Sequence, residues 1–188
     1  MTRLRRAEAA EWLRDRLAAL PGTRWVGIDG LGAAGKTSFA AELAALLPDA
    51  HVIHIDDFAR PSVRGWERAR FVAEVLEPLL GGRRACYSRW DYLTDEPRGA
   101  AEVPPGVPVI VEGVSATDDR VPVPWDITVW LDVPEAIRRQ RIEERDDEGL
   151  LYRWRTDWWP NEQAYVREQR PKDRAGMIVV VDQEELRR

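Results

Sequence analysis

A glycine-rich string near the N-terminus constrains the fold of this chain more than any other feature. Residues 30–37 read Gly-Leu-Gly-Ala-Ala-Gly-Lys-Thr and fit the pattern G-x-x-x-x-G-K-[ST]. In such a loop the backbone N–H groups surround phosphate groups, the lysine reaches the β and γ phosphates, and the hydroxyl binds Mg²⁺. The loop has this role only between a buried strand and the start of a helix, so the string predicts a strand–loop–helix unit.

Short apolar runs predict the sheet that this unit belongs to. Each run is bounded by Pro, Gly or charged residues, which is typical of strands buried on both faces of a parallel sheet. The predicted strands cover residues 24–29, 51–55, 107–111, 127–131 and 177–181. The predicted helices cover residues 3–20, 36–47, 66–80, 135–146 and 161–169. This alternation predicts the α/β class: a P-loop NTPase fold with a mostly parallel sheet flanked by helices and a short Arg-rich lid.

The length of 188 residues predicts one domain over residues 1–188, because typical domains hold roughly 100 to 200 residues. Within it, residues 1–20 are predicted as an N-terminal amphipathic helix and about 134–170 as a lid region. Leu13, Leu17 and Leu20 follow the i, i+4, i+7 spacing of one helix face, and Thr2 is placed as an N-cap.

The composition excludes several classes of protein. Cys86 is the only cysteine, so the chain has no internal disulfide and no multi-cysteine zinc site. No segment approaches the roughly 20 apolar residues of a membrane helix, and the charged start lacks the apolar core of a signal peptide. We therefore expect a cytoplasmic protein with no membrane partner. The net charge of −5 argues against a nucleic-acid polymer as partner, whereas a homo-oligomer formed through the first helix is left open.

The residues predicted to bind the nucleotide form one continuous set around the loop. ATP, or another nucleoside triphosphate, and Mg²⁺ are the cofactors that the loop predicts. The set is Gly30, Gly32, Ala33, Ala34, Gly35, Lys36, Thr37 and Ser38.

Three carboxylates follow predicted strands and are candidates for the chemistry. Asp56 and Asp57 come after the strand at 51–55, and Glu112 comes after the strand at 107–111. The carboxyl ends of parallel strands meet at one edge, where such sheets bind ligands. Asp56 and Asp57 are therefore the two candidates for the catalytic base, and two of the three carboxylates, Asp56 or Asp57 with Glu112, could share Mg²⁺ with the Thr37 hydroxyl. A helix or turn cap for the Asp pair, and a plain strand end for Glu112, are the structural alternatives.

Arginines after residue 132 predict a basic lid. Arg138, Arg141 and Arg145 share one helix face at i, i+3, i+7. A guanidinium brought over the γ-phosphate stabilises charge in the transition state, so Arg141 and Arg145 join Lys36 and Asp56 as candidate catalytic residues. Because acidic residues share the segment, a solvated face with i, i+4 ion pairs is the alternative.

A pocket for a phosphate acceptor is predicted from aromatic and polar residues between the strands. The candidates that touch the acceptor are Asp57, Arg60, Tyr87, Trp90 and Asp91. Trp90 is suited to stacking on a planar molecule and Asp91 to orienting a hydroxyl, although core packing and a turn are the ordinary uses of these residues. Two histidines, at positions 51 and 54, are predicted to pack and not to bind metal.

Taken with these residues, the chain resembles the uridine kinase and phosphoribulokinase-like family of P-loop kinases. The resemblance spans residues 24–181. It rests on four segments: Ile-Asp-Gly-Leu-Gly-Ala-Ala-Gly-Lys-Thr at 28–37, Ile-Asp-Asp-Phe at 55–58, Val-Ile-Val-Glu-Gly at 109–113, and Trp-Leu-Asp-Val-Pro at 130–134 leading into the arginines.

The resemblance implies a role for several of the candidates. It implies that Asp56 is the base and lies at the metal, that Glu112 completes the metal shell, and that the region 141–145 is the lid. Asp91 is similar to an Asp that grips the nucleoside sugar. Members that take uridine carry a Tyr where this chain has Ala59, and a His after the sugar-binding Asp that this chain lacks.

Three functional hypotheses follow from the sequence. The first is an ATP- and Mg²⁺-dependent kinase that phosphorylates a hydroxyl of a small molecule, a uridine- or cytidine-like nucleoside first. The second is a kinase for a nucleoside monophosphate, in which Arg60, Arg64 or Arg68 would hold the anion, or for a sugar or natural product. The third, of another class, is a nucleotide-dependent switch or accessory ATPase.

Overall fold

The computed structural model describes residues 2–181, and its centre is a six-stranded sheet in which all neighbouring strands are parallel. The strands lie in the order β1-β8-β7-β2-β6-β3. Their bounds are β1 Thr2–Arg5, β2 Arg24–Asp29, β3 His51–His54, β6 Pro108–Glu112, β7 Ile127–Asp132 and β8 Met177–Val180. The predicted α/β fold with a mostly parallel sheet is thus confirmed.

Helices cover both faces of the sheet, and two pairs of consecutive helices are joined by a π-helical stretch. The helices are α1 Arg6–Ala18, α2 Lys36–Leu46, α3 Arg68–Phe71, α4 Glu77–Leu80, α5 Glu135–Arg145, α6 Glu148–Arg153, α7 Trp159–Gln169 and α8 Pro171–Arg174. The π-helical stretch Val72–Leu76 joins α3 to α4, and Trp154–Trp158 joins α6 to α7. No helix within residues 2–181 has the length and apolar character needed to cross a bilayer.

Burial on both faces explains why the strands are continuous apolar runs. All five residues of β6 are buried, as are five of the six residues of β2. One core packs α1 and α2 against the sheet through Leu13, Phe39 and Leu43. A second core, on the other face, contains Phe58 and Phe71. The sheet is therefore fixed between two apolar layers, and its loops alone are free for chemistry.

The start of the chain differs from the predicted helix over residues 1–20. Thr2–Arg5 forms an edge strand whose residues pair with Met177–Val180, and the helix begins only at Arg6. Thr2 is therefore not an N-cap, and the Glu8 carboxylate instead accepts hydrogen bonds from the backbone N–H and the guanidinium of Arg5 at the start of the helix. The prediction was wrong because pairing with a neighbouring strand satisfies the backbone of these residues, and that partner lies far away in the sequence.

A β-hairpin that the sequence did not predict extends from the sheet. Its strands are β4 Ala85–Asp91 and β5 Glu96–Val103, which pair antiparallel with an irregularity between Ser88 and Trp90. Most of β5 is exposed, and its sequence Glu-Pro-Arg-Gly-Ala-Ala-Glu-Val lacks the β-branched run of a typical strand. Tyr87 anchors the hairpin by stacking on Phe58, with 5.1 Å between ring centres.

A substitution at Gly113, directly after β6, can test how closely this residue packs against Ile55. Its φ is +151°, and a Cβ there would lie 2.6 Å from the Cβ of Ile55. Gly82 also has a positive φ, +65°, but nothing lies within 4 Å of a Cβ built on it. Gly113→Ala should therefore lower the free energy of unfolding by about 3 kcal/mol, from backbone strain and overpacking together.

Gly82→Ala is the matched control, since it adds backbone strain without a clash and should cost about 1 kcal/mol. Urea unfolding of both variants measures the difference. Equal losses of stability would show that the contact between Gly113 and Ile55 is not tight.

Candidate active site

The glycine-rich loop lies where the sequence predicts it, between β2 and α2. The helix begins at Lys36, and Gly35 before it has a φ of +85°, which side chains other than glycine rarely adopt. Lys36 is buried, and its Nζ donates to the backbone carbonyl of Leu31 at 3.0 Å, so the ammonium lies over the loop. The predicted strand–loop–helix unit is present.

A buried carboxylate that the sequence analysis did not single out holds this loop. Asp29, at the end of β2, is 1% exposed and accepts five hydrogen bonds. The donors are the N–H groups of Gly30, Ser115 and Thr117, the Thr117 hydroxyl and the Tyr165 hydroxyl. Its bond to Tyr165 joins residues 136 apart in the chain at 2.6 Å. Only the position of Asp29 directly before Gly30 could have indicated this role.

Two of the predicted metal ligands lie together at the same edge. Thr37 Oγ1 donates to Glu112 Oε1 at 3.1 Å, because β6 is the neighbour of β2 and Glu112 pairs with Ile28. The Glu112 carboxylate is buried, and His54 Nδ1 lies 2.6 Å from the same oxygen. That hydrogen bond raises the pKa of His54, against the opposing effect of burial.

The sequence predicts that His54 is packed, and the structure shows that it is not. Its side chain is 42% exposed and faces the Glu112 carboxylate. The register of the sheet explains the contact, since His54 pairs with Glu112 across β3 and β6. Strand order is a long-range property, so the alternation of residues within one strand could not reveal this contact.

Asp56 and Asp57 lie in a single turn of 3-10 helix, Ile55–Phe58, and face different surroundings. Desolvation by the surrounding protein atoms raises the pKa of Asp56, although the residue keeps contact with solvent, and Lys36 is the strongest influence that lowers this pKa. Glu112 and Arg145 also act on Asp56. Of the two carboxylates, Asp56 is thus the one whose charge interacts with the glycine-rich loop.

Asp57 points toward the hairpin instead. Its side chain is buried, and Oδ2 has no hydrogen-bond partner among the described residues. Burial raises the pKa of Asp57, while His54, Arg89 and Arg98 act in the opposite direction. Two hairpin arginines, one on each strand, therefore lie close enough to attract this carboxylate.

The donor set fits Mg²⁺ in the way that nucleotide-dependent enzymes use it. Within residues 2–181 no group of three or more His, Cys, Asp and Glu side chains is arranged to hold a metal by itself. Mg²⁺ in such sites takes one or two carboxylates, waters and phosphate oxygens rather than a full protein cage. The Thr37 hydroxyl beside the Glu112 carboxylate matches that requirement.

The lid arginines divide into two that contact the loop and one that does not. Arg138 is buried and donates to the Gly32 carbonyl at 3.2 Å, and Arg141 donates to the Ala33 carbonyl at 3.2 Å. The exposed Arg145 pairs with Asp146, with 2.6 Å between Nε and Oδ1. The basic face predicted on α5 therefore reaches the loop through Arg138 and Arg141.

The lid also contributes an acidic residue that the sequence analysis missed. Glu162 of α7 is buried and accepts a hydrogen bond from the Gly32 N–H at 2.8 Å. Burial raises the pKa of Glu162, and Lys36 and Arg138 act against this rise. Trp154 packs beside it, with its Nε1 3.6 Å from the position of a Cβ on Gly32. Nothing in the sequence marks Glu162, since its partner is a backbone group in a distant loop.

The predicted acceptor residues lie on or near the hairpin, but Tyr87 is packed in the apolar core against Phe58 and so is not exposed to an acceptor. The Arg60 guanidinium lies 3.8 Å from the centre of the Trp90 ring and donates to Glu67 at 2.9 Å. Asp91 accepts the N–H groups of Leu93 and Thr94, so it forms the turn at the hairpin tip. The contacts of these side chains with an acceptor stay predictions.

The remaining arginines of this region hold structure together. Arg64 donates to Asn161 of α7, and Arg68 donates to the Asp118 carboxylate. Arg70 donates to the carbonyls of Asp57 and Ser88, which ties α3 to both sides of the cleft. Arg64 and Arg68, which the monophosphate hypothesis assigned to an anionic acceptor, are thus bound to protein groups.

The Asp29 network predicts a large effect for a small substitution. Asp29→Asn replaces an acceptor oxygen with an NH₂ group that faces buried donors, so it should lower the free energy of unfolding by about 3 kcal/mol. Tyr165→Phe removes one donor only and should cost about 1 kcal/mol. Urea unfolding compares them, and a loss from Asp29→Asn no larger than that from Tyr165→Phe would contradict the network as the anchor of the loop.

The fold is similar to that of two solved kinase structures. One is described as a possible uridine kinase from Bacillus stearothermophilus, with a TM-score of 0.71, 20% identity, and coverage of 94% of this chain and 98% of that one. The other, from Silicibacter sp. TM1040, is assigned as a fructose transport system kinase, with a TM-score of 0.64, 20% identity, and coverage of 95% and 99%. No protein-family model and no curated protein matches the sequence. The chain therefore has the fold of P-loop kinases over nearly its whole length.

Proposed function

We propose that this chain is an ATP- and Mg²⁺-dependent kinase that transfers the γ-phosphate to a hydroxyl of a small molecule. The observation that carries the proposal is the meeting of three parts at one sheet edge: the glycine-rich loop, Asp56 and the pair formed by Thr37 and Glu112. Phosphoryl transfer depends mainly on positioning and charge neutralisation, and these residue types supply both.

In the proposed reaction, Asp56 receives the proton of the acceptor hydroxyl as its oxygen attacks the γ-phosphorus. The bond between that phosphorus and the β–γ bridging oxygen breaks, and ADP leaves. A raised pKa suits Asp56 to this role, because a base works best when its pKa is closer to the operating pH. Lys36 and Arg141 lie at the loop, where they would stabilise the charge on the transferred group.

Thr37 and Glu112, with Asp56 beside them, would hold Mg²⁺, which when bound neutralises charge on the β and γ phosphates. Glu112 already carries the hydrogen bonds of Thr37 and His54 on one oxygen. His54 would therefore orient the carboxylate, a role that does not need the histidine to bind metal.

A nucleoside is the first acceptor to test, and a sugar is the second. The names of the two similar structures refer to uridine and to fructose, both small molecules with free hydroxyl groups. Trp90, on β4 of the hairpin and held against Arg60, offers an aromatic surface. A planar base stacks readily on such a surface.

Asp56→Asn is the direct test of the proposed chemistry. Loss of a general base should lower kcat by about a hundredfold or more, while the affinity for nucleotide stays within about twofold. ADP release in the presence of an acceptor panel measures kcat, and calorimetry measures nucleotide binding. Asp119→Asn, at an exposed carboxylate, is the control and should leave both values unchanged.

Two outcomes would contradict the kinase proposal. One is undiminished turnover in Asp56→Asn. The other is a wild-type protein that binds ATP but releases no more ADP with any nucleoside, sugar or nucleoside monophosphate than without one. The second outcome would favour the nucleotide-dependent switch.

A phosphorylated acceptor is the second candidate, and the hairpin arginines favour it. Arg89 and Arg98 both act on the buried Asp57, so an anionic group would meet positive charge on that side of the cleft. Arg98 lies 3.9 Å from Asp91, a long ion pair that a phosphate could replace.

With a nucleoside monophosphate as substrate, Arg89→Gln should raise the KM of the acceptor about tenfold and leave kcat nearly unchanged. Arg84→Gln is the matched control, because Arg84 is exposed near the same hairpin and pairs with Glu102 instead. Steady-state kinetics with nucleosides and their monophosphates side by side gives the comparison. Equal KM values for the two arginine variants would exclude an anion site at Arg89.

A further inference from the structure

One face of α7 makes three contacts with the end of the sheet where the glycine-rich loop lies. Glu162, Tyr165 and Gln169 follow the i, i+3, i+7 spacing of a helix face. Tyr165 donates to Asp29, and Gln169 donates to Asp118. The third contact differs in kind, because Glu162 reaches the glycine-rich loop itself.

The Glu162 carboxylate is held by a backbone donor of the loop. Oε1 accepts the Gly32 N–H at 2.8 Å, and the residue is only 5% exposed. Oε2 is buried and has no hydrogen-bond partner among the described residues. The nearest cation to Oε2 is Arg138, whose Nη1 lies 3.6 Å away. Among residues 2–181, the carboxylate is thus hydrogen-bonded through Oε1 only, and its Oε2 is held by a long ion pair with Arg138.

We propose that Glu162 is an internal anion that competes with the triphosphate for the glycine-rich loop. The inference rests on the nucleotide-binding part of the proposed function and adds a residue that opposes binding. On this proposal, entry of the phosphates displaces the carboxylate from Gly32.

The charges around Glu162 support competition rather than coexistence. Lys36 and Arg138 both act on its carboxylate, and these are cations that a triphosphate also requires. A carboxylate and a phosphate cannot be close together in a buried site without strong repulsion. Asp29 adds a further negative charge nearby. One anion therefore has to leave when the other arrives.

Arg138 gives the exchange a consequence for the lid. Its guanidinium donates to the Gly32 carbonyl and faces the carboxylate of Glu162, so both sides of the Gly32 residue are held by lid residues. When a phosphate takes the place of the carboxylate, Arg138 gains a stronger anionic partner. When the nucleotide binds, the lid would thereby lose its contact with the loop through Glu162 and gain a contact with the phosphates through Arg138.

Glu162→Gln tests the proposal, because it keeps an oxygen for the Gly32 N–H and removes the charge. The affinity for a non-hydrolysable ATP analogue should rise about tenfold, since Lys36 and Arg138 lose their competing anion. Glu143→Gln makes the same charge change at an exposed position of α5 and should leave the affinity within about twofold. Calorimetry at one fixed salt concentration measures both, because screening weakens such interactions.

A rise in affinity is a result that a purely structural role would not give, since damage to the lid weakens binding or leaves it unchanged. Unchanged or weaker binding in Glu162→Gln would overturn the proposal. Tighter binding without phosphorylation of any acceptor would instead contradict the kinase reaction and leave the competition intact. The two failures are therefore distinguishable.

A second measurement uses the wild-type chain, in case the variant does not fold. In a crystal structure of the complex with the ATP analogue, Glu162 Oε1 should lie well beyond hydrogen-bond distance of the Gly32 nitrogen. A contact that persists near 2.8 Å beside bound phosphates would overturn the proposal.

Discussion

The rest of the site depends on the hydrogen bonds that the buried carboxylate of Asp29 accepts. Removing a carboxylate from water costs several kcal/mol unless donors replace the lost hydration, and here five donors do so. They come from the first residue of the glycine-rich loop, from the loop after β6, and from α7 of the lid. One charge thus fixes the relative positions of the phosphate loop, the segment that follows Glu112 and the lid helix. The apolar cores hold the sheet, whereas this polar cluster holds the loops at its edge.

Charged side chains of both signs lie close together at the same edge of the sheet. The partners of each carboxylate there decide which chemical role it can have. Glu112 is bound by Thr37 and His54, whereas the Asp56 carboxylate makes no hydrogen bond within residues 2–181 and has a pKa raised by desolvation. The Glu112 carboxylate is therefore held in place by its partners and that of Asp56 is not, which fits the proposed role of Asp56 as the base. The difference follows from position, since Glu112 ends a buried interior strand and Asp56 lies at an exposed position of a turn.

The sequence predicted those features that depend on residues close together in the chain. The glycine-rich loop is a local pattern, and the apolar strands show their burial in their own composition, so the fold and the position of the loop followed from the sequence. The edge strand β1, the contact of His54 with Glu112 and the contact of Glu162 with Gly32 each join distant segments, the last over 130 residues. Such pairs depend on strand order and on how the lid packs, and no spacing within one segment carries that information.

The lid is held in different ways at its two ends. At the donor end, Arg138, Glu162 and Tyr165 make buried polar contacts with the loop and with Asp29. At the hairpin end, the contacts are exposed: the Tyr92 hydroxyl lies 3.5 Å from Asp157, and its ring lies 5.8 Å from that of Trp158. Exposed contacts of this kind contribute little to stability, so those between the lid and the hairpin tip should break at smaller cost than the buried contacts at the donor end. On the proposed function, the acceptor would therefore bind near the more weakly held end of the lid. This end also contains the hairpin, which the sequence did not predict. Exposed strands are under little constraint from packing, so their residues need not follow the typical strand pattern.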